Sequence, residues 1–329
     1  MTDKIRWGIL STANIGRKRV VPAMQLCKHG VVAAVASRNV EAAREYANEL
    51  KIPKAYGSYE ALLADPDIDA IYNPLPNSMH AEWSIKCAEA GKPTLCEKPL
   101  ASDAAEAQTM VDAFAARGVP FAEAFMYRFH PQTGLVKQLL DDGAIGELVM
   151  VNAAFSFRIR EEDNIRLSKA LAGGALMDVG CYCVNVTRLM AGAEPISVKA
   201  MQRTGVVSGV DEVLTGVMAF ESGVLAHFGC SLRANFTHTY QLRGTTGKIL
   251  VEEGFVVPPD HPSTVRVTET NAAGAETTRE IRVAPANSYT LMADDFAQAL
   301  IDGRAPRWKP QDGVENMRVI DQLYASAAQ

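Results

Sequence analysis

The 329-residue chain is long enough for about two domains, and its 48% hydrophobic and 22% charged residues are those of an ordinary soluble globular protein. Net charge is −5 with Lys and Arg scattered, so no basic stripe marks nucleic acid or an anionic membrane as a partner. No apolar run approaches the length of a membrane span, the N-terminus shows no signal-peptide pattern, and the six cysteines form no CxxC pair, which points to a cytoplasmic chain with reduced thiols and no zinc.

From residue 1 to about 122 strands and helices alternate, the pattern of an α/β dinucleotide-binding (Rossmann) domain. Ile5–Leu10 reads as the first strand. The turn Ser11-Thr12-Ala13-Asn14-Ile15-Gly16 follows, then a helix to about Cys27. A GxGxxG turn belongs here, because its glycines permit the tight bend and the close approach of a pyrophosphate to the helix N-terminus. Ser11 and Ala13 stand at the first two glycine positions, and Gly16 remains. These small replacements keep the approach open; a plain strand–helix turn fits the residues as well. The second strand, Val31–Ala36, is nearly all apolar and ends in Ser37-Arg38-Asn39. An acid at this place would hold the ribose 2′-hydroxyl of NAD, whereas an Arg suits a 2′-phosphate. Ser37 and Arg38 are therefore read as NADP ligands, against an ordinary polar strand end.

A helix is expected over 40–50, a short strand and helix over 56–63, and a strand over 69–73. The loop Pro74-Leu75-Pro76-Asn77-Ser78-Met79-His80 then lies at the carboxyl edge of the sheet. Pro74, Asn77 and His80 are placed there as cofactor contacts, with His80 equally readable as a helix-start histidine without chemistry. After a helix over 79–90, Thr94-Leu95-Cys96 forms a buried strand and Glu97-Lys98-Pro99 follows. Pro99 biases Lys98 to extended geometry, at the strand exit where open α/β sheets bind ligands. Lys98 is then available to a substrate; the Glu97–Lys98 pair also makes sense as surface charges closing a strand. Ser102 reads as the N-cap of a helix to Arg117.

Past Glu123 the segment Ala124–Pro131 is aromatic and basic, and Pro131 opens a helix with Leu135, Val136, Leu139 and Leu140 inward. Strand-like runs follow at 147–158, 196–202, 211–220, 224–232, 236–244, 247–252, 264–269 and 276–283. Short turns join several of them, as in a largely antiparallel open sheet. Helices near 289–302 and 311–327 close the chain. One helix, Leu176–Ala191, interrupts the strands after Ala172-Gly173-Gly174-Ala175. Its spacing puts Asp178, Tyr182 and Asn185 on one face. A Tyr acts as general acid or base when a neighbouring cation lowers its pKa from about 10. A simple Tyr–Asp hydrogen bond on a helix surface is the alternative.

Glu97-Lys98-Pro99, the degenerate turn ending at Gly16, the Pro74–His80 loop and Gly173-Gly174-Ala175-Leu176-Met177-Asp178-Val179-Gly180 together resemble the glucose–fructose oxidoreductase/inositol dehydrogenase (Gfo/Idh/MocA) family over nearly the whole chain. Many members carry a His four residues after the helix Asp. Tyr182 at that place, with Tyr127-Arg128-Phe129-His130-Pro131, is similar to the subgroup of NADP-dependent D-xylose 1-dehydrogenases, dihydrodiol dehydrogenases and aldose–aldose oxidoreductases.

The resemblance implies a Rossmann domain over 1–122 and an α+β substrate and oligomerisation domain over 123–329. It implies Lys98 and Tyr182 in catalysis, Asp178 in substrate orientation, and Arg128 and His130 near the nicotinamide or substrate; Asn185, on the face of Asp178, is taken with them as a substrate contact. NADP would contact Ser11, Thr12, Ala13, Asn14, Ile15, Ser37, Arg38, Pro74, Asn77, His80, Glu97 and Lys98. A cis Lys98–Pro99 bond is implied too. The expected reaction is oxidation of the C1 hydroxyl of a cyclic aldose to a lactone, without a metal; the alternatives are an aldose–aldose or glucose–fructose type oxidoreductase with tightly bound NADP(H), or a trans-dihydrodiol dehydrogenase or carbonyl reductase. Lys98 is expected to face Tyr182 across one substrate oxygen. Val151, Ala153, Phe155 and Phe157 suggest an uncovered apolar sheet face, hence a homodimer or dimer of dimers formed sheet to sheet.

Overall fold

The computed structural model describes residues 4–329. Contacts divide the chain into two compact units, Met1–Met126 with Tyr289–Val314, and Tyr127–Ser288 with Glu315–Gln329.

The first unit is a doubly wound α/β fold. Its strands are β1 (Ile5–Leu10), β2 (Gly30–Ala36), β3 (Lys54–Tyr56), β4 (Ala70–Asn73), β5 (Thr94–Glu97) and β6 (Phe121–Ala124). All neighbours pair parallel in the order β3-β2-β1-β4-β5-β6, so the winding reverses between β1 and β4. Ile9, Leu10, Val35, Ala36, Ile71, Tyr72 and Leu95 are buried, because helices cover both faces of a parallel sheet. Those helices are α1 (Val21–Met24), α2 (Val40–Leu50), α3 (Tyr59–Leu63), α4 (His80–Glu89) and α5 (Ala104–Ala115). The α5 cap is Asp103, whose carboxylate accepts the Glu106 N–H, rather than Ser102 one residue earlier.

Sequence order would leave the penultimate helix, α8 (Ser288–Asp302), in the second half, but from Tyr289 it belongs to the first unit. Phe296 packs on Trp7 at 5.7 Å, Asp294 accepts the His29 N–H at 2.8 Å, and the Thr290 hydroxyl donates to the Ala23 carbonyl at 2.9 Å. Each fully buried side chain of this size contributes about 1.5–3 kcal/mol. Met292 and Phe296 thus attach α8 by packing that no local pattern announces.

The second unit is built on eight strands: β7 (Leu148–Ser156), β8 (Ser197–Thr204), β9 (Asp211–Ala219), β10 (Leu225–Ser231), β11 (Thr237–Gly244), β12 (Gly247–Val251), β13 (Ser263–Thr270) and β14 (Glu276–Val283). They lie in the order β14-β13-β12-β11-β7-β10-β9-β8, antiparallel except for the parallel β7–β10 pair. Helices α6 (Pro131–Asp141), α7 (Cys181–Ala191) and most of α9 (Gln311–Ala327) complete the unit.

Alternation along β7 puts Val151, Ala153 and Phe155 beneath α7, all buried. The sequence reading gave these residues to the open face, so the faces are interchanged. The open face instead carries Met150, Asn152 and Ala154, with Val217 and Leu225 on β9 and β10, 50% and 54% exposed. The helix before α7 also differs from expectation: residues Leu176–Gly180 form one turn of π-helix. A Cβ on Gly180 would lie 2.8 Å from Cys230 Sγ, so this turn is pressed directly onto β10. The run Lys169–Ala191 is, by length and composition, apolar enough to cross a membrane, contrary to the sequence reading, but here most of it is buried inside the protein.

Candidate active site

In the first unit, the β1 turn keeps its shape without its first glycine. Ser11 adopts φ 75°, a left-handed conformation that costs a non-glycine residue about 1–2 kcal/mol. Its Oγ accepts the Ala13 N–H at 3.3 Å, and its own N–H donates to the Ala36 carbonyl at 2.8 Å. Thr12 to Ile15 carry the chain into the helix. Gly16 has a packing reason, since a Cβ there would lie 2.7 Å from the Tyr46 hydroxyl of α2. At the end of β2, Arg38 is exposed beside Tyr59, where its charge favours the phenolate although burial raises that hydroxyl's pKa overall. Ser37 is half-buried and its Oγ accepts the Asn39 N–H at 3.3 Å. A serine in the left-handed bend and an exposed guanidinium with no acid at the β2 end form a donor set that fits a dinucleotide carrying a 2′-phosphate.

Pro74, Asn77 and His80 follow β4 as placed from the sequence, but His80 is turned inward. Its Nδ1 lies 3.0 Å from the Pro99 carbonyl and its Nε2 2.8 Å from the Leu75 carbonyl. Each ring nitrogen thus faces a carbonyl of the chain's own backbone, and the neutral ring donates to one of them, which ties His80 to the loop. Burial depresses its pKa to about 4, outweighing the carbonyls that would favour the cation, and Lys98 lowers it further. Glu97 is buried and accepts the Tyr72 hydroxyl at 2.7 Å. That anchors the end of β5 and leaves half-buried Lys98 to leave the strand beside it. The Lys98–Pro99 bond is cis, as the resemblance implies.

In the second unit, Tyr182 sits in a wall of rings. Phe155 is 5.3 Å away, Phe255 5.4 Å and Tyr127 5.9 Å, with Phe155 and Phe255 themselves stacked at 5.4 Å. Asp178, one turn earlier, pairs with Arg166, whose Nε donates to Oδ2 at 2.8 Å. Asn185 shares the helix face, as its spacing requires, but its side chain serves the fold. Its Oδ1 accepts from Tyr127 Oη at 2.6 Å and from Arg128 Nε at 2.7 Å. With both lone pairs engaged, Asn185 positions Arg128 instead of meeting a substrate through that oxygen, which departs from the sequence reading. His130 caps α6, its Nδ1 accepting the Gln132 N–H at 3.1 Å. The proton therefore lies on Nε2, which is buried without a partner among the described residues. Burial also lowers the His130 pKa.

Two residues escaped the sequence reading. Arg166 was hidden in an irregular loop. Asp211 stands at the start of β9, buried, where Oδ2 accepts the Leu176 N–H at 2.7 Å and Oδ1 accepts the Tyr324 hydroxyl at 2.8 Å. It thus ties the start of the Asp178–Tyr182 segment to both β9 and α9. Gly174, at φ +126°, makes room for it, because a Cβ would lie 2.1 Å from Asp211 Oδ1. The Gly173-Gly174 pair was the available signal: it demands a close partner without saying which.

Residues 5–125 match the oxidoreductase family with an NAD-binding Rossmann fold, and residues 134–250 match the GFO/IDH/MocA C-terminal domain. D-xylose 1-dehydrogenase (NADP(+)) 2 of Haloferax volcanii is 41% identical over 98% of this chain and 97% of its own length. Trans-1,2-dihydrobenzene-1,2-diol dehydrogenase of Bos taurus is 36% identical over 74% of this chain and 72% of its own. A 3-ketoreductase from Actinomadura kijaniata, solved in complex with TDP-benzene and NADP, superposes with a TM-score of 0.92 at 28% identity, covering 98% of each chain. With both family domains matched along a single chain whose two units have the corresponding folds, the protein belongs to the Gfo/Idh/MocA oxidoreductases.

Proposed function

We propose that the chain is an NADP-dependent sugar dehydrogenase that oxidises the C1 hydroxyl of a cyclic aldose of the D-xylose or D-glucose type to a lactone. The observation that carries this reading is Tyr182, an ionisable hydroxyl one helical turn from Asp178 in an aromatic wall. The 41% identity to a D-xylose 1-dehydrogenase supports it. Bound NADP⁺ supplies the hydride acceptor. Tyr182 takes the proton of the C1 hydroxyl. Lys98 binds that same oxygen and favours the phenolate through its charge. Asp178, oriented by Arg166, accepts from a neighbouring sugar hydroxyl. In the reverse direction, carbonyl reduction, the same groups act in opposite protonation states. The similarity to a ketoreductase and a dihydrodiol dehydrogenase supports that second reading.

Purified protein assayed with a panel of aldoses and each cofactor tests the proposal, with NADPH formation expected for at least one pentose or hexose. Tyr182→Phe should lower kcat by about 10²–10⁴-fold while NADP⁺ still binds. Lys98→Ala should be similarly damaging, and the double variant little worse, since groups acting as a unit are not additive. Near-normal turnover by Tyr182→Phe transfers the role of base to another group, His130 first.

A further inference from the structure

The ring wall beside Tyr182 does not stop at Phe255. It continues from Phe155 to Phe236, 6.5 Å away edge to face, and to His238, 6.0 Å from Phe155 and 4.8 Å from Phe236. His238 is the register partner of Phe155 across the β11–β7 pair, so its side chain rises on the same, helix-covered side. Phe236 precedes β11 by one residue, and the turn there is held by the Ser156 hydroxyl donating to the Asn235 carbonyl at 2.6 Å. Its ring is 64% exposed although it adjoins a buried cluster.

The imidazole of His238 has a fixed polarity. The backbone N–H groups of Phe255 and Val256 both point at Nδ1, each at 3.4 Å. That nitrogen is therefore the acceptor, and the proton sits on Nε2. Among the described residues no side chain or carbonyl accepts it. Burial keeps the ring neutral, against the opposing pull of Glu253. An exposed aromatic face thus lies beside an N–H donor with no partner among the described residues, on a ring that is itself only 7% exposed. Rings and a neutral imidazole offer no charge to a phosphate. They suit the C–H face of a pyranose and one of its hydroxyls.

We propose that Phe236 and His238 form the distal sugar subsite of the Tyr182 wall, the Phe236 ring carrying the apolar face of an unphosphorylated pyranose and His238 Nε2–H donating to a ring hydroxyl. The proposal rests on the sugar-dehydrogenase reading and deepens it.

The test compares wild type with Phe236→Ala, His238→Asn and His238→Gln. Asn can retain the acceptor that Nδ1 presents to Phe255 and Val256 but loses the outer donor; Gln reaches out as Nε2 does but abandons that acceptor. Phe236→Ala and His238→Asn should each raise KM for the best aldose about tenfold, with kcat and the KM for NADP⁺ changed by no more than about twofold. His238→Gln should lie closer to wild type in KM. An unchanged aldose KM in Phe236→Ala overturns the platform. Loss in His238→Gln with none in His238→Asn reduces His238 to a cap on the 255–256 turn and overturns the donor. Calorimetry of NADP⁺-loaded wild type with D-xylose and D-glucose separates the two readings. Pyranose binding without turnover rejects the dehydrogenase and leaves the subsite to be judged by the variants' affinities. Absence of pyranose binding overturns the subsite.

Discussion

Arg38, the residue proposed to select the cofactor, is an exposed guanidinium at the end of β2 where an NAD-selective site would place a carboxylate. A charge-assisted hydrogen bond contributes about 1.5–3 kcal/mol, so Arg38→Ala should raise KM for NADP⁺ by roughly 10–100-fold. The KM for NAD⁺ should move little, because NAD⁺ has no 2′-phosphate for Arg38 to hold. Equal effects on the two cofactors, measured by initial rates, would remove Arg38 from that role. His80 shows the opposite relation between residue type and role. Its place in the loop after β4 suggested cofactor contact, yet each ring nitrogen faces a backbone carbonyl, one of them that of Pro99, 19 positions away.

At the scale of the element, the segment from Leu176 through α7 is held by Asp211 rather than by its own caps. No side chain caps either the π-turn or α7 from within the segment. Burial raises the Asp211 pKa from 3.8 to about 6, against the hydrogen bonds from Leu176 and Tyr324 that favour the ion. A folded-state pKa above the unfolded one means that the folded protein takes up the proton first as pH falls. Asp211 protonation therefore contributes stability that is fully present below about pH 4 and lost as pH rises through about 6. The whole effect is on the order of 3 kcal/mol. Asp211→Asn cannot titrate, so between pH 7 and pH 5 wild type should gain thermal stability relative to this variant. Parallel melting curves for the two proteins across that range would show that Asp211 ionises normally. The sequence displays the helix face through residues four apart, but Tyr324 is 113 residues from Asp211, and only folding brings that hydroxyl to the carboxylate.

For the whole molecule, the open face of the eight-stranded sheet is the surface proposed for self-association. Val217 and Leu225 lie half-exposed on neighbouring strands, and Met150 and Ala154 continue the apolar strip. A twofold arrangement would place this strip against its own copy. The expected species in light scattering at micromolar concentration is a dimer or a dimer of dimers. Val217→Lys combined with Leu225→Lys should shift it toward monomer with little loss of unfolding cooperativity. A wild type that stays monomeric contradicts the proposal.

Hydrophobic period and turn chemistry made most elements legible. The eight strands of the second unit lie within two residues of the predicted runs, and α9 spans Gln311–Ala327 as predicted. The alternation in β7 showed that its two faces differ. It could not show which face the helix would cover, because a period of two is symmetric until something packs on one side. The likeness of Glu97-Lys98-Pro99 and of the Asp178–Tyr182 spacing to a known family singled out two catalytic candidates, which lie just after β5 and in α7. Tertiary structure alone decided that α8 returns to the first unit, that Asn185 spends its carbonyl on Tyr127 and Arg128, and that Asp211 anchors the segment before α7. Those outcomes depend on contacts between residues far apart in the chain, and local propensity, which acts over a few residues, carries no term for them.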